Sequence, residues 1–527
     1  MASAFHGPLR SPASRPGRRR VPWIARLREA RAWEIAAGVG VAVVAGTAAA
    51  SSIKAVAVLF GLAAALAYAA YTLRAPRGAV IVMFLALALV PVYALPSINA
   101  FSPQAGSLAC LLLIVLLPAA QGRVRPVRFT AIDATFALTC IAVFVAAVFG
   151  PTHVLVTVAT LLLWIPPYLV GRRVCIDRPG LRTFALGAVL AGCASLPFIA
   201  YETVTKHNVF FKLAIPGTTA TKLWAKSAYR PGTGFFRTEA GFGHPLSMAL
   251  IVSGCALLAF ALALSAETRK WRFRWLGLGV VLVIAQYTSG ERTGWVILVA
   301  AVVAFAASAF TRSTPIKYRL LLLAGTLVLV VAAFAAINDS GVTGAEAQSS
   351  HYRAALYAHA LQPGVLKLLG LPESPNSNYN IFVSGISNVG FTSAVNGNQS
   401  IDSAYLQIGD QYGLIALFPM LAVLVAVVIA VVRCRGTPIA AVPATAFGVL
   451  LGLGTIGFQT QVPVFAWLVV GAASGAQLLA TREKEAARRG GMRPPAAPAR
   501  SELPVTVRSR VRRPALSARP APPITSA

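Results

Sequence analysis

Apolar residues in this chain come in long blocks and do not alternate with polar ones. Leu59–Leu73, Val80–Val92, Leu246–Leu264, Leu276–Ala285, Val296–Phe310 and Leu320–Ala336 each lie in stretches almost free of charge. A helix needs about twenty such residues to cross about 30 Å of hydrocarbon at 1.5 Å per residue. The pattern predicts spans near 33–51, 53–72, 78–96, 105–120, 132–150, 152–170, 181–201, 243–266, 273–289, 293–311, 318–337, 411–432, 438–457 and 462–480. The expected fold is therefore an all-α polytopic membrane protein of about 14 transmembrane helices, bundled over 33–480. Composition agrees: 57% of the 527 residues are hydrophobic and 12% charged, against about a quarter charged in a soluble domain.

A net charge of +31 is the kind of excess that nucleic-acid binding uses. Its distribution points elsewhere. With the N-terminus placed inside, the loops on that side are Arg74–Gly78, Arg123–Arg128, Gly171–Arg182, Glu267–Arg274, Arg312–Arg319, Arg433–Arg435 and the tail after Thr481, nearly all rich in Arg or Lys. Bases and acids of the outer segments nearly cancel. This is the positive-inside bias, and it puts both termini in the cytoplasm with no nucleic-acid partner.

The first 32 residues are basic and lack the apolar core of a cleaved signal, so the first span near 33–51 is expected to act as an anchor. Segments 1–32 and 481–527 are read as disordered cytoplasmic ends, the latter rich in Pro, Ala and Arg and able to lie against anionic lipid. All six cysteines fall in spans or at their cytoplasmic edges, which argues against a structural disulfide, and no metal-ligand spacing of Cys or His occurs. Pairs at G-x-x-x-G spacing, Gly448/Gly452 and Gly471/Gly475, allow close helix approach, within the chain or in a dimer.

Two outer segments, 202–242 and 338–410, exceed simple connectors and are expected to form a small extracytoplasmic cap. The second opens on an amphipathic pattern around Ser350–Leu361 and continues through the turn-rich Ser374–Asn398. There is no P-loop, no dinucleotide fingerprint, no H-E-x-x-H and no nucleophile elbow. Charges are nearly absent from the spans, which counts against an ion-coupled transporter; Glu34 and Asp133 sit at predicted cytoplasmic ends within reach of water.

The candidate chemistry lies at the outer rim. Arg237, Glu239 and His244 fall in Phe235–Pro245, just before a span; Glu291 and Arg292 fall in the tight turn Thr288–Trp295; His351 precedes Arg353; Asp402 opens Ile401–Asp410. An arginine fork binds phosphate oxygens bidentately at any working pH, so two or three converging at the rim would hold a lipid diphosphate. The plain alternative is that each arginine reaches toward headgroups or pairs with its adjacent glutamate.

At these residues the chain resembles the O-antigen ligase/O-antigen polymerase superfamily of bacterial membrane enzymes. The likeness covers about 230–435. It rests on the Arg-containing segment ending in His244-Pro245, the turn Ser289–Arg292, and Asp402-Ser403-Ala404-Tyr405-Leu406-Gln407-Ile408 leading to Tyr412-Gly413-Leu414. The resemblance implies a metal-independent, cofactor-free glycosyltransferase on the outer face of the bacterial cytoplasmic membrane. Its donor is a polyprenyl-diphosphate-linked glycan and its acceptor a glycan or other hydroxyl, either alone or in a polysaccharide-assembly complex. The family's diphosphate-binding arginines map onto Arg237 and Arg292, with Arg353 a further candidate. Tyr405, His244 and His351 are candidates for substrate contact, and Asp402, Glu291 and Glu239 for catalysis. Ligases of the family carry His, often His-Asn, before the Tyr-Leu segment; this chain has Asp402-Ser403. Asp402 could take the acceptor's proton or merely cap the following helix, and the missing His favours polymerase over ligase. A lipid-linked oligosaccharide flippase and a non-catalytic assembly partner remain the alternative readings.

Overall fold

The computed structural model describes residues 53–91, 104–121, 128–152, 154–213, 236–309, 353–354, 356–371, 401, 403–458 and 461–490. The spans expected at 33–51 and 318–337, the N-terminal segment, the tail beyond 490 and most of the two outer segments lie outside these residues. The described residues are helical, with no strand element among them. In chain order the helices are α1 (Ile53–Arg74), α2 (Pro76–Leu89), α3 (Ala105–Gln121), α4 (Ala131–Phe149), α5 (Val154–Val174), α6 (Arg178–Thr205), α7 (Pro245–Leu264), α8 (Arg269–Tyr287), α9 (Thr293–Ala309), α10 (Ala404–Tyr412), α11 (Leu414–Arg433), α12 (Ala441–Gly452) and α13 (Val462–Gly490). Six of the described helices (α4, α5, α6, α7, α11 and α13) are long and apolar enough to cross a membrane.

Exposure supports a lipid environment. On α4, Leu138, Ile141, Phe144 and Val148 are exposed while Ile132, Phe136, Thr139, Val143 and Ala146 are buried. A water-soluble helix carries polar residues on its outward face; one that is apolar all round is either deep in a core or in lipid.

Element boundaries follow backbone chemistry. α2 stops at Leu89, short of the expected 96, because Val90 is already extended before Pro91, which disfavours helix in the residue preceding it. The expected span 438–457 is a 3-10 turn at Pro438–Ala440 followed by α12, which ends at Gly452. The span near 411–432 is preceded by a separate short helix, α10, and Gly413 makes the corner with φ +76. A side chain at Gly413 would meet the Leu368 carbonyl at 2.2 Å. α13 continues through 481–490, where the sequence reading began the tail.

α7 along nearly its whole length, and α13 as far as Ala480, are buried and form the centre of the bundle. α7 packs against α6, α8, α9 and α12, and its Gly254 faces the Phe465 ring of α13. Both glycine pairs pack within the chain. A Cβ on Gly471 would lie 2.0 Å from the Tyr168 carbonyl, one on Gly475 2.4 Å from that of Arg172, and one on Gly171 of α5 2.0 Å from that of Leu468. Three glycines thus let α5 and α13 touch backbone to backbone, as small residues do in membrane bundles. Gly448 and Gly452 do the same for α12 against Ile297 and Ala301 of α9.

Beside that seam lies a buried polar hub. Asp133 closes a capping box with Thr130 at the start of α4. Its carboxylate also receives Arg172 Nε at 2.6 Å, the Tyr168 hydroxyl at 2.5 Å and the Ser474 hydroxyl at 2.9 Å. Asp133 was expected to reach water; it is instead buried, its carboxylate met by its cap Thr130 and by side chains of α5 and α13. In a low-dielectric interior the attraction offsets desolvation only when the remaining lone pairs are met, as they are here. Asp133→Asn is expected to lower thermal stability in detergent by about 3 kcal/mol, because it strands the Arg172 cation, and the double change with Arg172→Met to recover part of that loss. Equal melting temperatures for wild type and Asp133→Asn would show that the hub is not a structural tie.

Candidate functional site

Helices joined by short connections alternate in direction, so their ends sort into two layers. One layer holds Arg74, Arg77, Arg172, Arg173, Arg178, Arg182, Arg269, Lys270, Arg433 and Arg435 at the ends of α1, α2, α5, α6, α8 and α11. The opposite, sparsely charged layer holds Arg237, Glu239, His244, Glu291 and Arg292.

The segment before α7 is bent onto that layer by specific contacts. Gly241 passes so close to α2 that a Cβ there would meet the Ala88 carbonyl at 2.3 Å. Ala240 adopts a left-handed φ of +46, unfavourable for a residue with a Cβ. That conformation is fixed from both sides. The Ala240 N–H donates to Glu202 Oε2 at 2.8 Å, and its carbonyl accepts from Asn208 Nδ2 at 3.1 Å. Gln461, just before α13, donates to the carbonyls of Val90 and Gly241 at 3.2 Å each, tying three elements together.

The same segment runs beside the α8–α9 turn. The Thr238 N–H donates to the Thr288 carbonyl at 3.2 Å and the two threonine hydroxyls are 2.7 Å apart. This register delivers Arg237 to Glu291, with Nη1 2.7 Å from Oε1. Arg237 therefore pairs with a glutamate of another turn, and the adjacent Glu239 points elsewhere. The turn is itself fixed: Gly290 takes φ +67, the Glu291 N–H donates to the Ser289 hydroxyl, and Gln286 Nε2 donates to the Glu291 carbonyl at 3.1 Å. Arg292 follows directly, half-buried. Arg237 and Arg292 thus stand at one corner.

Glu239 is fully buried beside Glu202, with Asn208 Nδ2 3.2 Å from its Oε1 and no hydrogen-bond partner on Oε2 among the described residues. Burial and the neighbouring Glu202 carboxylate push its pKa up to about 8. Glu202, by contrast, accepts the backbone N–H groups of both Glu239 and Ala240. The two carboxylates differ in their hydrogen bonding: Glu202 is met by backbone donors, whereas Glu239 Oε2 has none among the described residues.

A second cluster adjoins the first. The Thr293 hydroxyl, next to Arg292, lies 2.9 Å from that of Thr455. The adjacent Gly454 carbonyl accepts from the Tyr357 hydroxyl, which also lies 2.9 Å from the Ser403 hydroxyl. Arg353, one helical turn before Tyr357, is close enough that its cation counters the upward push of burial on the Tyr357 hydroxyl. Tyr357 is thereby linked through Gly454, Thr455 and Thr293 to the Arg292 turn. Asp410, further along α10, is also buried, which raises its pKa to about 7.

Other candidates are placed differently. Tyr405 is buried, and its hydroxyl donates to the Leu450 carbonyl at 2.8 Å, so it holds α10 against α12 and does not reach the rim. His244 is the N-cap of α7: Nδ1 accepts from the Leu246 N–H at 3.1 Å, and burial with the nearby Arg237 cation pushes its pKa down. That ring is a neutral cap positioned beside Arg237. Asp402 and His351 lie outside the described residues. The cap of α10 is Ser403, whose hydroxyl accepts from the Leu406 N–H, so the capping alternative for Asp402 falls to its neighbour. Among the described residues no three His, Cys, Asp or Glu side chains group closely enough to hold a metal ion.

Sequence reasoning did not single out Glu202, Asn208, Gln286, Gln461, Thr293, Thr455 or Tyr357. The available signal was a lone polar residue in the last turn of an apolar helix, as with Glu202 and Gln286. Fold and site together define an all-helical protein with several helices of membrane-crossing length and an ionic corner built at one end. No protein-family model matches the chain, and no curated protein matches it.

Folding takes up a proton at Glu239, because its pKa lies above the ordinary 4.5. The stability it contributes is present in full below about pH 4.5 and is lost as pH rises through about 8. Glu239→Gln, which cannot ionise, is expected to flatten the fall in melting temperature between about pH 5 and pH 9. The same slope in variant and wild type would show that Glu239 is already ionised in the folded protein.

Proposed function

We propose that the chain is a membrane glycosyltransferase acting on polyprenyl-diphosphate-linked glycan, and that it polymerises repeat units in preference to ligating a finished glycan to another acceptor. In this reading the bundle has about 14 spans, both termini are cytoplasmic, and the sparsely charged end faces outward. The observation that carries it is the corner where Arg237 meets Glu291 immediately before Arg292.

A carboxylate on a part-buried guanidinium occupies the position a phosphate oxygen takes in substrate recognition. Arg237 holds that carboxylate, Arg292 follows it directly in the chain, and Arg353 is near enough to Tyr357 to act on its hydroxyl. In the proposed step an acceptor hydroxyl forms a bond to the anomeric carbon. The bond from that carbon to the diphosphate oxygen breaks, and its electron pair leaves with the lipid diphosphate. The arginines neutralise the charge gathering on the leaving group, normally the largest contribution in such a reaction. The hydroxyl proton goes to a carboxylate. Glu239 and Glu291 are the candidates: burial brings Glu239 near working pH, and Glu291 is paired with Arg237. Asp402 is the alternative acceptor. Polymerase is favoured because the ligase His is replaced by Asp402-Ser403.

Arg292→Ala should be compared with wild type and a deletion strain by the lipid-linked glycan profile of cells. Single repeat units accumulating on the carrier, with long polymer reduced at least about a hundredfold, are expected for a polymerase that has lost one charge-neutralising group. Finished polymer accumulating on the carrier would identify a ligase. A wild-type profile at normal expression would reduce Arg292 to a headgroup contact and reject the site.

A further inference from the structure

The arginine-rich end carries a feature that the proposed reaction does not use. α8 begins Arg269-Lys270-Trp271-Arg272-Phe273-Arg274-Trp275, four cations and three aromatic rings in seven residues. The first six of these are exposed, with Trp271 at 49% and Phe273 at 58%. The one acid close by in sequence is Glu267, itself exposed.

The aromatic rings hold two of the cations in place. The Arg274 guanidinium lies over the Trp271 ring at 4.8 Å and that of Arg269 over the Phe273 ring at 5.4 Å, while Trp271 and Trp275 stack at 5.9 Å. A guanidinium stacked on a ring keeps its N–H groups in its own plane, directed past the ring edge. Two forks so arranged, with Lys270 and Arg272 beside them, present donors matched to phosphate oxygens. Trp at this level is also the residue that settles at a membrane–water interface.

Below the cations the same helix turns apolar and stays exposed. Leu276, Val280, Val281 and Ile284 face away from the bundle, and nothing lies within 4 Å of a Cβ placed on Gly277. The contacts of α8 with α7 and α6 fall on its other side, where Gly279 meets Phe260 and Leu282 meets Gly192. A phosphate-binding head thus continues into an uncovered hydrocarbon-binding stripe one helix long. α6, which packs on α8, begins at the same end with Arg178 and Arg182.

We propose that the first two turns of α8 and the stripe below them form a binding site for an anionic phospholipid of the leaflet at the arginine-rich end. The phosphate sits on Arg269, Lys270, Arg272 and Arg274, and the acyl chains run along Leu276, Val280, Val281 and Ile284. Joined head and tail surfaces select a lipid over a free phosphate, because inorganic phosphate uses only the upper half. The cation count selects an anionic lipid over a zwitterionic one.

The test uses the full chain, delipidated in a non-ionic detergent and offered equal amounts of phosphatidylglycerol and phosphatidylcholine, with retained lipid read by native mass spectrometry. Wild type is expected to retain phosphatidylglycerol preferentially. Arg269→Gln with Arg274→Gln should weaken that preference about thirtyfold. Arg433→Gln with Arg435→Gln, the same charge change elsewhere at this end, should leave it intact. Equal retention of the two lipids by wild type would overturn the proposal. So would an equal loss in the Arg433/Arg435 pair, which would mean bulk charge acts rather than this site, or displacement of the lipid by an equal concentration of inorganic phosphate. If the glutamine pair does not fold, Arg269→Lys with Arg274→Lys keeps the charge and removes the stacked forks. A several-fold loss is then expected, and an unchanged preference overturns the proposal.

Discussion

α13 has almost no side that faces lipid, and the bundle is arranged around that constraint. A helix enclosed on all sides in a membrane gains nothing from leaving water once folded; it is held by close packing and by polar contacts between helices. At one end, Gly471 and Gly475 let α5 approach until backbones touch, and Ser474 between them reaches Asp133. At the other, Gln461 grips the end of α2 and the bend before α7. Both ends of the central helix are thereby fixed to elements that carry charge.

The same scarcity of water explains the form of the candidate site. Isolated polar side chains are costly inside a bilayer, so those present are collected where helices end and backbone groups remain to be bonded. Glu202 closes the last turn of α6 by accepting N–H groups of the bend at Glu239–Ala240; Gln286 steadies the turn that carries Glu291 by donating to the Glu291 carbonyl. These contacts hold a strained Ala240 and place Arg237 on a partner from a distant part of the sequence. Pre-organisation of this kind suits a site whose task is to receive a fixed arrangement of negative charge.

Much of the architecture was legible in the sequence, because twenty-residue apolar blocks leave few alternatives to membrane-crossing helices. Helix ends were read within a few residues where Pro or charge marks them, as at Pro245 and Arg433. They were missed where backbone geometry decides: Val90 ahead of Pro91 shortens α2, and Gly413 splits α10 from α11. The rim residues Arg237, Glu291 and Arg292 stood out as charges among apolar neighbours. Their pairing did not, since it depends on the register of Thr238 against Thr288. Tyr405 and His244 stood out on motif grounds; what the motif did not show is that each bonds a backbone group, the Leu450 carbonyl and the Leu246 N–H. Asp133 looked water-accessible because its partners Tyr168, Arg172 and Ser474 come from two other helices.

The central claim is that the ionic corner receives a lipid diphosphate as it leaves a sugar. The most direct measurement places the purified chain in lipid nanodiscs with polyprenyl-diphosphate-linked oligosaccharide and no nucleotide, and follows both products by mass spectrometry. Lengthened glycan is expected together with an equal amount of free lipid diphosphate, both abolished when Arg237 and Arg292 are replaced together. Donor that is recovered intact from active-folded protein, or merely moved across the membrane unchanged, would contradict it.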